Sequence, residues 1–139
     1  MIRFPDNLLD APPGRWVEWW VVFGDAPKRY WWTAFCRPGF EHCFALARQG
    51  GSWVQVDPGH DFMRVAVLPV SAYTPIHALV GDRTVVRVRA SLTEQMRAPW
   101  IVGPLTCVEV VKSLLGIRSL TLLTPHQLYE HLRRHHGRS

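Results

Sequence analysis

One segment organises the whole chain: Gly103-Pro104-Leu105-Thr106-Cys107-Val108-Glu109-Val110-Val111-Lys112-Ser113-Leu114-Leu115-Gly116. Its Gly-Pro pair interrupts regular structure, and Thr106 is a residue type that caps helix N-termini. The apolar residues that follow recur with the spacing of one helical face: Val108, Val111, Leu114 and Leu115. Gly116 is a typical helix stop. The segment therefore predicts a helix with Cys107 in its first turn.

That position has chemical consequences for Cys107. The first turn of a helix has backbone N–H groups without acceptors and carries the positive end of the helix dipole. Both features favour a thiolate over a thiol and so lower the pKa of the cysteine. Cys107 is therefore a candidate nucleophile. The alternative is a small buried hydrophobic residue, which is the usual role of a free cysteine.

Length and composition predict one folded domain, residues 1–139. The chain is 47% hydrophobic and contains seven Trp and six Phe, whereas disordered chains are poor in such residues. No apolar run reaches the roughly 20 residues of a membrane span, and the N-terminus lacks the pattern of a signal peptide. We expect synthesis in the cytoplasm without a signal peptide. Three cysteines are too few for a disulfide scaffold, which favours reduced thiols.

The net charge of +5 and the pI near 9.6 raise the question of an acidic partner. Part of this excess lies at the C-terminus, in Arg133, Arg134 and Arg138. Basic residues at a helix end commonly form a solvated surface that complements the helix dipole. No zinc-finger, RNP or basic-zipper motif is present, so nucleic acid is not the expected partner.

The N-terminal third is rich in tryptophan. Residues 1–14 contain three prolines and predict an extended arm. Residues 16–23 and 30–36 are dense in β-formers, and together they predict a Trp-rich hairpin over residues 15–37. Aromatic core packing is one explanation for so many indoles, and an interface with a partner chain or a second copy is the other. Four indoles are expected to be only partly covered by the domain's own core: Trp16, Trp20, Trp31 and Trp32.

A second hairpin brings a histidine near an aspartate. Residues 40–48 and 52–57 alternate as strands, and Gly50-Gly51 suits a two-residue turn between them. This turn would place His42 and Asp57 diagonally across from each other on one face of the sheet. A shift of register by one residue would separate them. His42 bonded to a backbone group and Asp57 capping a turn are the structural alternatives.

The remaining segments complete an α+β layout. Residues 62–68 and 84–90 predict strands, joined by an irregular connection over 71–82. Residues 91–103 form a loop, and Thr124-Pro125 begins a second helix. We expect an antiparallel sheet or half-barrel over residues 38–102 after the first hairpin. It would pack against two C-terminal helices within 103–139.

A cysteine at a helix start, a strand histidine and a polar residue on the adjacent strand are the parts of a papain-like thiol hydrolase. In the usual papain and NlpC/P60 order, the cysteine helix comes first. Here His42 and Asp57 precede Cys107. This order resembles the circularly permuted NlpC/P60 families, such as the YiiX-like and lecithin:retinol acyltransferase-like proteins.

Two short motifs carry the resemblance. The run Cys107-Val108-Glu109-Val110-Val111 is similar to the Cys-Ser-Glu-Leu-Val-like helix start of those families. The run Thr124-Pro125-His126-Gln127-Leu128 resembles the Thr-Pro-x-x-Leu helix start of YiiX-like chains. The likeness covers residues 40–58 and 103–134 and does not include the Trp-rich N-terminal part.

The resemblance implies a permuted papain-like fold and a cysteine peptidase or amidase, with Cys107, His42 and Asp57 as catalytic residues. Three residues are expected to bind the substrate: Trp53, Trp100 and Thr106. A peptide-like substrate is implied, above all peptidoglycan, although esters undergo the same thiolate attack. No cofactor is expected. Compact Trp-rich domains of this kind also suggest a phage virion or tail protein. The alternative is a non-catalytic adaptor in a phage particle or another assembly.

A metal site is the other chemistry that these residue types permit. The candidate ligands near the sheet are Cys36, His42, Cys43, His60 and Cys107. They contain no Cys-x-x-Cys pair, and His42 and Cys43, adjacent on a strand, point to opposite faces. The helical histidines have arginine neighbours and suit a solvated surface: His131, His135 and His136. We therefore expect no bound metal.

Overall fold

A computed structural model describes residues 16–26, 31–58, 63–91, 107–117, 119 and 121–135. The described residues contain five strands: β1 Trp16–Gly24, β2 His42–Gln49, β3 Ser52–Pro58, β4 Met63–Ser71 and β5 Thr84–Ser91. Three α-helices accompany them: α1 Ile76–Val80, α2 Cys107–Leu115 and α3 Pro125–His135. A 3₁₀ helix spans Trp31–Phe35.

The strands form one open antiparallel sheet in the order β4-β3-β2-β1-β5. The described part of the chain is thus an α+β structure with two helices at its C-terminal end, α2 and α3. β1 lies between β2 and β5, so its two edges are both hydrogen-bonded. β4 and β5 are the edge strands.

Each face of the sheet has its own core. The helices α2 and α3 cover one face, where Phe23 and Ala45 pack with Val111 and Leu128. The opposite face buries Trp20, Val22, Leu46, Trp53 and Val80. Residues that are adjacent along β1 contribute to opposite cores because strand side chains alternate. This explains why β1 is apolar at successive positions.

The first hairpin predicted from sequence is wrong. Residues 31–35 form a 3₁₀ helix instead of a strand, and β1 pairs with β2 and β5. Since both edges of β1 are used, no edge is left for a strand from residues 30–36. Trp20 is 8% exposed, so its indole belongs to a core and not to a contact surface. The side chains of Trp16, Trp31 and Trp32 lie outside the described residues.

The second hairpin is confirmed. Gly50 and Gly51 have φ angles of 57° and 84°, as a two-residue turn of the primed type requires. Gln49 lies opposite Ser52, and Ala45 lies opposite Val56. This is the register predicted from the sequence, and it fixes which residues of β2 and β3 share a face.

The helix boundaries follow local signals. α2 spans Cys107–Leu115, with Cys107 in its first turn as predicted, and Gly116, with a φ of 70°, follows its last residue. The Ile117 N–H donates to the Lys112 carbonyl, which completes a Schellman-type end. At the start of α3, Thr124 Oγ1 accepts from the Gln127 N–H, and Gln127 Oε1 accepts from the Thr124 N–H. This reciprocal pair is a capping box.

Several expectations concern residues outside the described ranges. These are the arm over 1–14, nearly all of the loop over 91–103, and the Thr106 cap. The connection over 71–82, expected to be irregular, contains the short helix α1. No helix in the described ranges is long and apolar enough to cross a membrane.

Candidate active site

Cys107 lies where α2 meets the beginning of β2. It is the first residue of its helix and is half-buried against the core between the helices and the sheet. Its sulfur interacts with the imidazole of His42 and with the thiol and backbone N–H of Cys43. Since His42 and Cys43 point to opposite faces of the strand, contact with both places the first turn of α2 at the strand's end.

His42 is held on its other side by Asp57. The Nε2 atom of the imidazole lies 2.7 Å from Asp57 Oδ1, a hydrogen bond across the β2–β3 hairpin. The two side chains are 19% and 27% exposed, so water is partly excluded from the pair. Because Nε2 is engaged by Asp57, Nδ1 is the nitrogen left to face Cys107. The predicted proximity of His42 and Asp57 is confirmed.

Gln55 extends the arrangement by one residue. Its Nε2 donates a hydrogen bond of 3.3 Å to Asp57 Oδ2, the oxygen that does not bind His42. Both oxygens of the carboxylate are therefore held in place. Sequence reasoning missed Gln55, although a signal was present: it precedes Asp57 by two positions and so lies on the same face of β3.

The protonation of His42 depends on its neighbours. Burial of the ring disfavours the charged form, but hydrogen bonds from the imidazole to Asp57 and Cys107, and the charges of both, outweigh it. Together they raise the pKa of His42 from 6.5 to about 9. The imidazolium therefore predominates at neutral pH.

Cys107 shifts in the opposite direction. The hydrogen bond from the Cys43 thiol and the interaction with His42 outweigh burial and hold the pKa of Cys107 well below that of an ordinary thiol. Burial and the neighbouring Cys107 raise the pKa of Cys43, which therefore stays a protonated donor. The two opposite shifts favour a thiolate–imidazolium pair over a neutral thiol and imidazole.

None of the three cysteines, all of which lie in the described residues, forms a disulfide, and Cys36 and Cys43 both interact with Cys107. Cys43 is completely buried, whereas Cys36 and Cys107 are partly exposed. Burial, together with the charges of Cys107 and Glu41, raises the pKa of Cys36. The sequence analysis treated Cys36 and Cys43 as reduced thiols and candidate metal ligands and did not predict that they interact with Cys107. Within the described residues, no group of three or more His, Cys, Asp or Glu side chains is arranged to hold a metal ion.

Of the three residues expected to bind substrate, Trp53 alone lies in the described part of the chain. Trp53 has no exposed surface, and its Nε1 donates to the Thr74 carbonyl at 3.0 Å. Its ring packs against Trp20 in the core on the face away from α2. That burial leaves no surface for a substrate, so the expected role of Trp53 is wrong. Trp100 and Thr106 lie outside the described residues, as does His60.

Comparisons with known proteins add no relative. A scan against protein-family models, a search of curated proteins and a search of solved structures each returned no match for this chain. The function must therefore be inferred from the geometry of the site.

Proposed function

We propose that this protein is a thiol-dependent hydrolase that cleaves amide or ester bonds, with Cys107 as nucleophile and His42 as general acid and base. One observation carries the proposal: a cysteine at a helix start faces an imidazole whose far nitrogen is bound by Asp57 at 2.7 Å. The β2–β3 hairpin and a helix far along the chain meet to form this arrangement. Packing alone does not require a thiol, an imidazole and a carboxylate in series.

The chemistry follows from the protonation states. The Cys107 thiolate attacks the substrate carbonyl carbon, and the N–H groups of the first turn of α2 stabilise the developing oxyanion. The imidazolium of His42 donates its proton to the leaving group, which departs and leaves a thioester. Neutral His42 then takes a proton from water, and the water oxygen attacks the thioester carbonyl carbon. The Cys107 thiolate leaves, which releases the acid product. Asp57 orients the ring and stabilises its charged form.

The substrate class comes from the resemblance to permuted NlpC/P60 proteins. That likeness favours a permuted papain-like fold and a peptide bond of peptidoglycan type as the target. The apolar strip on β4 is compatible with an extended peptide, because its residues Met63, Val65 and Val67 are 51%, 64% and 68% exposed. Carriage in a phage virion or tail is the context we propose for such an activity.

The test is turnover on a panel of cell-wall peptides, esters and thioesters. We expect Cys107→Ala to abolish turnover and His42→Ala to reduce it by about 100-fold or more. His77→Ala, an exposed histidine on α1, is the matched control and should retain full activity. Iodoacetamide should alkylate Cys107 faster than Cys36 or Cys43, with a midpoint below the ordinary thiol pKa of about 8.5.

A non-catalytic adaptor is the second candidate, and the exposed strip on β4 favours it too. Edge strands that expose apolar side chains are surfaces to which other chains bind. The two functions differ in the chemistry of Cys107. Equal alkylation of all three thiols together with no turnover on any substrate would reject the hydrolase and favour the adaptor.

A further inference from the structure

The hydrolytic mechanism leaves Cys43 without a chemical step. Its side chain is 0% exposed, yet it is among the groups that interact with the sulfur of Cys107. A core position of this size is filled equally well by Ala or Val, and neither of those can react with a neighbouring sulfur. The pairing places a second sulfur directly beside the one reactive toward electrophiles.

Both cysteines occupy defined positions in the fold. Cys43 is the second residue of β2, and its backbone is paired with Phe23 of β1. Cys107 is the first residue of α2 and packs against the same core that contains Cys43. The two side chains interact across this core, so side-chain rotation and a small shift of the helix start can bring the sulfurs to the roughly 2 Å of a disulfide.

We propose that Cys43 and Cys107 form a redox modification site, in which Cys43 captures oxidised Cys107 as an intramolecular disulfide. The inference concerns regulation of the proposed active site and rests on the proposal that Cys107 reacts as a thiolate. The oxidant is a peroxide. The disulfide inactivates the nucleophile reversibly and protects it from further oxidation.

Disulfide formation proceeds through a sulfenic acid on Cys107. The Cys107 thiolate attacks one oxygen of hydrogen peroxide, the O–O bond breaks, and the departing hydroxide takes the proton of His42 to leave as water. Cys107 is now a sulfenic acid, oxidised by two electrons. The Cys43 sulfur attacks the Cys107 sulfur, the S–O bond breaks, and a second water leaves with the Cys43 proton. Two thiols and one peroxide thus yield one disulfide and two waters.

Exposure sets the order of these steps. Peroxide reaches half-buried Cys107, whereas buried Cys43 has no contact with solvent. While Cys107 is a thiolate, its charge helps to keep the Cys43 thiol protonated. Conversion to a neutral sulfenic acid removes that charge. Cys43 therefore becomes reactive only after Cys107 is oxidised.

Peroxide treatment followed by mass spectrometry tests this proposal on the full chain. Reduced protein is exposed to a slight excess of hydrogen peroxide, free thiols are blocked, and the protein is digested with trypsin and a Glu-specific protease. Cleavage after Glu41 separates Cys36 from Cys43. We expect loss of two hydrogen atoms, a linked peptide pair containing Cys43 and Cys107, and full recovery of Cys107 alkylation after dithiothreitol.

Variants at both neighbouring cysteines sharpen the result. In Cys43→Ser and Cys43→Ala, Cys107 should gain two oxygen atoms as a sulfinic acid, with loss of recovery by dithiothreitol. Cys36→Ser is the matched control and should form the disulfide as the wild type does. A Cys36–Cys107 link, a disulfide between chains, or irreversible oxidation of the wild type would overturn the proposal.

The readouts separate the two proposals. Turnover measured on the reduced protein tests the hydrolase, and the linked peptides test the redox site. Disulfide formation without turnover on any substrate would reject the hydrolase alone. Turnover together with irreversible oxidation of wild-type Cys107 would reject the redox site alone.

Discussion

Asp57→Asn is the perturbation that most directly tests the electrostatics of the site. Asparagine keeps an oxygen that can accept a hydrogen bond from His42 Nε2, so the ring can remain oriented, but the negative charge is lost. In the wild type, the pKa of His42 rises from 6.5 to about 9. This difference corresponds to on the order of 3 kcal/mol in favour of the imidazolium. Asp57 supplies two of the four favourable contributions, as hydrogen-bond partner and as charge, and Cys107 supplies the others.

The pH dependence of kcat/KM should therefore change in a defined direction. Hydrolysis requires a thiolate and an imidazolium together, which predicts a bell-shaped profile. In the wild type the alkaline limb should lie near pH 9, where the pair loses the imidazolium proton. In Asp57→Asn this limb should move down toward 6.5, and the profile should narrow. Proton NMR of the His42 ring, assigned by comparison with His42→Ala, should show the same displacement.

Asp82→Asn is the control for this experiment. Asp82 is an exposed carboxylate after α1 and is not among the groups that affect His42. Its replacement should leave the profile unchanged. An alkaline limb that stays near pH 9 in a folded Asp57→Asn protein would refute the role assigned to Asp57.

Three further predictions concern stability. Lys112 is buried, and its ammonium group donates to Glu109 and to two backbone carbonyls. Lys112→Met should therefore lower the free energy of unfolding in urea by on the order of 3–5 kcal/mol, whereas Arg133→Met, at an exposed position, should change it little. Thr124→Ala should remove a cap bond and cost about 1 kcal/mol, and Thr124→Ser should retain most of that stability. The pKa of His42 is higher folded than unfolded, so its stabilisation is fully present below pH 6.5 and is lost as pH rises through about 9. The difference in Tm between wild type and His42→Gln should therefore decrease as the pH rises from 6.5 to about 9.

Local signals explain which parts of the fold could be predicted. The Gly50-Gly51 turn fixes the register of β2 and β3 because glycine alone adopts these φ angles readily. The start of α3 was predictable because Thr124 and Pro125 are residue types that begin helices. The pairing of His42 with Asp57 followed from the turn by counting residues along two strands.

Strand pairing and packing between distant parts of the chain explain the predictions that were wrong. Residues 30–36 have strand propensity, but β1 pairs with β5, a strand more than 60 positions further along the chain. Nothing local to residues 30–36 indicates that competitor. The substrate-binding role predicted for Trp53 is wrong for a similar reason. Trp20 and α1 cover the sheet face that carries Trp53, and that packing depends on the whole sheet. Burial of this kind is a property of the tertiary structure and not of the strand that carries the residue.

The start of β2 combines a local sequence pattern with a long-range contact. Side chains alternate along a strand, so His42 points toward Asp57 and Cys43 points toward the core beneath α2. Two consecutive residues therefore contact different parts of the fold. Cys107 contacts both because α2 begins at the strand's end instead of crossing its middle. In the two proposals above, the imidazole serves acid–base chemistry and the neighbouring thiol serves redox chemistry. A change of helix start by one residue would rotate the thiol by about 100° around the axis of α2 and remove both contacts together.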